Sequence, residues 1–190
     1  TFAKPERENC DGYAYDPEHP SQHIIDMSEN EIEVPEDYTR EELRQDLLCY
    51  TSPVLKEDLV LTGDMTAELY ISSDAPDTDF VVRVTDVDEN GRSIKLADGL
   101  LSARYRNGFA RSEFLQEGEI VCLKIRTTKL SNCFRKGHRI RVTVTSSAKN
   151  FIFPNSNTRE GFASARTVVA HNRVYHGGLH ASRLTVRVEP

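Results

Sequence analysis

Tryptophan is absent from this chain, and aromatic residues of all kinds make up only 8% of it. Sugar-binding platforms present stacked rings, tryptophan most often, so the absence argues against such a role; Tyr13, Tyr15, Tyr70, Tyr105 and Tyr175 are the rings left for it. No apolar run approaches the roughly 20 residues that a membrane-spanning helix needs, and the opening TFAKPEREN has no apolar signal core. No membrane partner is expected. Basic tracts are missing too: 24 Lys plus Arg stand against 30 Asp plus Glu, a formal charge of −6, and no cluster of cations is interleaved with aromatics. Nucleic acid is therefore not an expected partner either.

Catalytic and metal signatures are equally scarce. None of the ten glycines opens a G-x-S-x-G, the elbow that exposes a serine nucleophile in α/β-hydrolases, and strands do not alternate with long helices. The chain alone is expected to be inactive. Cys10, Cys49, Cys122 and Cys133 show no C-x-x-C spacing. Free, mostly buried thiols are the expectation, ahead of disulfides or a zinc site, and they favour a reducing, cytoplasmic location. His19 with His23 and His176 with His180 stand four apart, but HPSQH holds a proline and HGGLH two glycines, so neither pair converges on a helix face. Loop histidines with ordinary hydrogen bonds are expected, with no metal and no cofactor. The first residue is not methionine, which suggests a piece of a longer protein.

What is present reads as strand. At 190 residues the chain can form one all-β domain, and we expect a single domain over 1–190: an irregular lead-in over 1–50 and a sandwich over 51–190. In the lead-in, Thr39 followed by Glu42 has the form of a capping box, and Leu43, Leu47 and Leu48 share a helical face, so one short helix is predicted over about 40–49. From about residue 58 the period changes to two. In DMTAELYIS, Met65, Ala67, Leu69 and Ile71 alternate with polar residues; FVVRVTDV turns at Asn90-Gly91 and returns through Ile94 and Leu96; GLLSARYR reads as a further strand. EIVCLKIRT follows, then HRIRVTVTSS, with Ile140, Val142 and Val144 inward and Arg139, Arg141 and Thr143 outward. TVVAHNRVYH and RLTVRVEP complete roughly eight strands. Such a pattern fits a two-sheet sandwich, immunoglobulin-like or jelly roll, and the length favours the jelly roll.

The stretch SSDAPDTDF gathers Asp74, Asp77 and Asp79 between two strands. Calcium would need six to eight oxygens around it. The spacing is not that of an EF-hand, and aspartates beside Pro76 also cap crossover turns, which is the preferred reading.

Several segments, in order, resemble one family: YDPEHP, YTSPVL, LTGDMTAELYISSDAPDTDFVVRVTDVDENGRSIKLADGLLSARYR, LSNCFRKGHRIRVTVTSS, NSNTREG and VYHGGLHASRLTVRV. They are similar to the C-terminal domain of the X-Pro dipeptidyl-peptidase and cocaine-esterase (CocE/NonD) class of serine hydrolases. The resemblance implies a galactose-binding-like jelly roll packed on an α/β-hydrolase domain of the same parent chain, which would hold the whole catalytic triad. It implies no catalytic residue here. It implies instead a lead-in that helps to wall the substrate cleft, around Ile24, Ile25 and Met27. Asp74, Asp77 and Asp79 become turn-building acids, and Asp98, Arg104, Arg106 and Arg139 structural ion pairs or interface groups. A carbohydrate-binding module is the alternative function, and a homo-oligomerisation domain also fits.

Overall fold

The computed structural model of the protein describes residues 7–24 and 35–188. Among them, eleven strands form: β1 (Asn9–Tyr15), β2 (Leu47–Thr51), β3 (Leu59–Gly63), β4 (Thr66–Ser73), β5 (Asp79–Val87), β6 (Ser93–Ser102), β7 (Val121–Arg126), β8 (Leu130–Phe134), β9 (Arg139–Thr145), β10 (Ala170–His176) and β11 (Arg183–Thr185). All pairings between these strands are antiparallel. The described helical segments are three short 3-10 turns, and no described helix is long and apolar enough to cross a membrane.

Two sheets face each other. In the first, β1 pairs with β10, β10 with β4, and β4 with β7 on its other side; β11 continues along the side of β4 that β10 occupies. The second runs β2-β9-β5-β6, and β3 with β8 forms a separate ribbon. Alternation along β4 and β7 turns Ala67, Leu69, Ile71, Leu123 and Ile125 inward, where they meet Phe80, Val82 and Val144 of the second sheet together with Tyr13, Tyr15 and Val174. Each large side chain so buried contributes about 1.5–3 kcal/mol before entropy is counted. The chain is therefore an all-β sandwich. A smaller cluster, Leu61, Met65, Val84, Ala97 and Phe134, lies beneath the ribbon.

Several details depart from the sequence reading. The predicted helix over 40–49 is a 3-10 turn at Glu41–Leu43 followed by β2, which pairs with β9. Both halves of the expected capping box bond elsewhere: Thr39 Oγ1 donates to Asp37 and accepts from the Ser93 amide, while Glu42 accepts from Ser93 and Arg141. Leu43 is exposed, so the three leucines share no face. The lead-in is not irregular throughout, since it supplies β1 to one sheet and β2 to the other. GLLSARYR is not a separate strand: Gly99–Ser102 finish β6, and Ala103–Tyr105 form a 3-10 turn. The ribbon partner β8 was not foreseen, nor was β3 as a strand of its own.

Thr143 does not face solvent. It is buried, as are Arg83, Thr85 and Thr145, because residues 21–24 and 35–44 cross the outer face of the second sheet. The described cysteines are free, but they are not core residues: Cys49 is exposed, and Cys10, Cys122 and Cys133 are half-buried.

The ends of the sandwich differ in chemistry. The turns 88–92 and 135–138 at one end carry Asp88, Glu89, Arg92, Arg135 and Lys136. At the other end lie the crossover 74–78 and the long loops 103–120 and 146–169, which hold five of the eight phenylalanines.

Candidate functional site

Period-two alternation places residues three apart on opposite faces of a strand. Lys95 and Asp98 nevertheless form an ion pair at 3.0 Å on the outer face of β6. The cause is a bulge: the β5–β6 register shifts between Val84 and Thr85, so Val84 faces Ala97 but Thr85 faces Lys95, and Leu96 is the extra residue. That one insertion puts Arg83, Thr85, Lys95 and Asp98 on one face.

The lead-in closes over them. Lys95 Nζ lies 2.8 Å from Glu36 and 2.7 Å from His23 Nε2, and His23 Nε2 is 3.4 Å from Asp98. The Lys95 amide donates to the Glu36 carbonyl, and the Tyr38 amide to the Ser93 carbonyl. Arg83, 1% exposed, sits beneath the Tyr38 ring at 4.7 Å and donates weakly to the Gln22 and Ser147 carbonyls. The Tyr38 hydroxyl accepts from the Ile24 amide at 3.1 Å. His23 stacks on Phe151, and its amide donates to the Lys149 carbonyl. Residues 36–38 are thus pinned along β6 and residues 21–24 along 147–149, just past β9, with the His23 side chain reaching across to Lys95. Ile24, the first of the expected cleft-wall residues, is half-buried there, whereas Ile25 and Met27 lie outside the described residues.

Burial pushes the Asp98 carboxyl up, but the His23 ring and the Lys95 ammonium more than reverse this and hold it at about 2. Burial likewise pushes the Tyr38 phenol well above its ordinary value. Three cations, Arg83, Lys95 and Arg141, face three carboxylates, Glu36, Asp98 and Glu42. Such a compensated cluster holds a segment in place rather than reacting.

A second constellation sits at the crossover end. Asp77 accepts from the Arg104 amide and from its Nε at 2.7 Å, and Asn155 Nδ2 bridges Asp77 and Asp79 at 2.7 and 2.9 Å. Arg104 reaches on to the carbonyls of Thr158 and Arg159. Asp74 accepts from the His171 amide and ring. Burial raises the Asp79 carboxyl, and nearby Asp77 adds to that. Amide and guanidinium donors occupy these carboxylates, and among the described residues no group of acids, histidines and cysteines is arranged to hold a metal ion. Arg106 donates to the carbonyls of Ala103 and Glu113, and Arg139 to that of Ser52.

The other histidines also turn to acids: His19 to Asp16, His138 to Asp86, His176 to Asp11 and His180 to Glu8. None of these four pairs is the serine–histidine couple of a hydrolase. Sequence reading missed His23, Glu36, Tyr38, Arg83 and Lys95 as one group. The visible signal was Arg83 inside the otherwise apolar FVVRV.

Comparison with known proteins identifies the family. Residues 4–185 match the family described as the X-Pro dipeptidyl-peptidase C-terminal non-catalytic domain. The cocaine esterase of Rhodococcus sp. (strain MB1 Bresler) is 35% identical over 188 residues, which is 95% of this chain and 32% of that protein. Two solved structures share the fold: an aminopeptidase from a marine-sediment Thaumarchaeota archaeon (TM-score 0.90, 23% identity, 98% of this chain and 34% of that one), and an α-amino acid ester hydrolase (TM-score 0.86, 22% identity, 95% and 32%). The chain spans between about a quarter and a third of the length of the curated relatives it matches. It belongs to the X-Pro dipeptidyl-peptidase C-terminal non-catalytic domain family.

Proposed function

We propose that this chain, over 1–190 a single galactose-binding-like jelly-roll domain, is the accessory part of a larger serine hydrolase acting on ester or peptide substrates. It packs on the α/β-hydrolase domain that carries the nucleophile, and its lead-in around Ile24, Ile25 and Met27 walls the substrate cleft. One observation carries the reading: the match to a non-catalytic C-terminal domain covers residues 4–185, while the chain spans only 32% of the esterase it resembles. The cluster of His23, Glu36, Lys95 and Asp98 supports the cleft role, because it fixes the two roots of the lead-in segment relative to the sheet. The sugar-platform alternative loses two of its five rings, since Tyr13 and Tyr15 are core residues.

The test is an assay with ester and Xaa-Pro-nitroanilide substrates on this chain alone and on the full-length protein. The expected result is turnover only in the full-length protein, with no adduct when the isolated chain meets a serine-directed fluorophosphonate. Enzyme-like turnover or a covalent adduct in the isolated chain would sink the reading.

A further inference from the structure

Three phenylalanines stand almost free of the molecule at one end. Phe109, Phe153 and Phe162 are 79%, 80% and 74% exposed, and they belong to the two long loops at the crossover end. Phe153 and Phe162 stack on each other at 6.0 Å. Solvated rings on mobile loops would ordinarily be a liability, but these loops are held. Arg104 pairs with the buried Asp77, donates to the carbonyls of Thr158 and Arg159, and packs against the face of Phe114, which Arg159 also covers. The crossover turn, the 103–120 loop and the 155–162 segment are thereby clamped into one rigid base. A base built to hold apolar rings outward marks a docking surface.

We propose that this aromatic end seats the hydrolase domain of the same polypeptide. The inference rests on the accessory-domain reading above and adds the surface through which it works. Area supports the occupant: three rings at this exposure present on the order of 450 Å², which suits one side of an interface between domains, commonly about 600–1,500 Å² in total. So does length, since about two thirds of the related esterase lies outside the region matched here. Position agrees as well. Phe151, two residues before Phe153, stacks on His23, whose neighbour Ile24 opens the proposed cleft wall. A single neighbouring domain can therefore meet both features. At the opposite end the turns are charged, and the exposed apolar side chains near them among the described residues, Val54 and Val60, are smaller and only 46% and 39% exposed.

Hydroxyl-radical footprinting read by mass spectrometry tests this, applied to the isolated chain and to the full-length protein. At Phe109, Phe153 and Phe162 the modification rate should fall about tenfold in the full-length protein, as exposed rings become core-like. A Phe153→Ser/Phe162→Ser double variant should leave the melting temperature of the isolated chain unchanged while lowering that of the full-length protein. Equal modification in both proteins, with protection at some other patch, overturns this inference but leaves the accessory reading standing. Protection nowhere overturns both. Protection in the isolated chain that disappears on dilution assigns the surface to a second copy of the chain and also overturns the proposal.

Discussion

Arg83 places its guanidinium carbon 4.7 Å from the centroid of the Tyr38 ring, and each of the two residues is 1% exposed. The ring caps a cation that the strand pattern buries, and its hydroxyl holds the Ile24 amide. Tyr38→Ala removes the cap and leaves a cavity, for which large-to-small changes of aromatic core residues cost about 3–5 kcal/mol. Tyr38→Phe keeps the ring and loses only the hydrogen bonds, about 1 kcal/mol. Urea unfolding of both variants checks the order.

The acid side of the stability profile follows from Asp98. Its carboxyl falls from an ordinary 3.8 to about 2 on folding. A depressed carboxyl stabilises the fold above its unfolded value, and that contribution disappears as pH falls through the folded one. The window is therefore roughly pH 4 down to pH 2, and the contribution is on the order of 2 kcal/mol. Asp98→Asn should flatten the profile in that window and lower stability at pH 7. Thermal melts across the range would show it.

Asp79 has the opposite sign. Its carboxyl is raised by burial, so its contribution is full below the ordinary carboxylate value and is lost as pH rises through the raised one. Asp79→Asn should be neutral or stabilising at pH 7. Asp77→Ala, by contrast, strands the Arg104 cation that it pairs at 2.7 Å, and breaking a buried pair costs about 3–5 kcal/mol. Parallel denaturation of the two variants at neutral pH separates these roles.

Gly99 marks where β6 meets the start of the segment after β7. A Cβ there would lie 2.4 Å from the Arg126 carbonyl oxygen and 2.9 Å from its carbon, both backbone atoms. The seam is held by the Thr128 amide donating to the Asp98 carbonyl. Gly99→Ala has to push the two strands apart, and overpacking of this kind costs about 1–3 kcal/mol. A lowered melting temperature with an unchanged far-ultraviolet dichroism spectrum is the expected observation.

Much of the two-layer arrangement was legible. The alternation of β4, the Asn90-Gly91 turn and the phase of β7 all follow from side chains that must be buried on one face. What was not legible depends on contacts distant in sequence. NCDGYAY carries Asp and Gly, which strands disfavour, and it forms β1 because β10 offers a ladder. LLCYT has helical leucine spacing and extends because β9 is its neighbour. The ion cluster was hidden by the bulge at Leu96, since simple alternation separates Lys95 from Asp98. Asp74, Asp77 and Asp79 stood out as acids, whereas their partners His171, Arg104 and Asn155 come from segments that only the fold brings near.

One side of β4 is lined by a strand in two instalments. The ladder stops after β10 and resumes at β11, and the intervening chain is tied back by Ser182, whose amide donates to the Tyr175 carbonyl and whose hydroxyl accepts from the Tyr70 amide. Each instalment is registered by its own ladder, and the detour between them is anchored again where His180 turns to Glu8 and meets the Tyr70 and Tyr175 rings. Leu179, at its tip and 85% exposed, is accordingly the place to graft a fluorophore or an affinity tag that reports on the molecule without unsettling it.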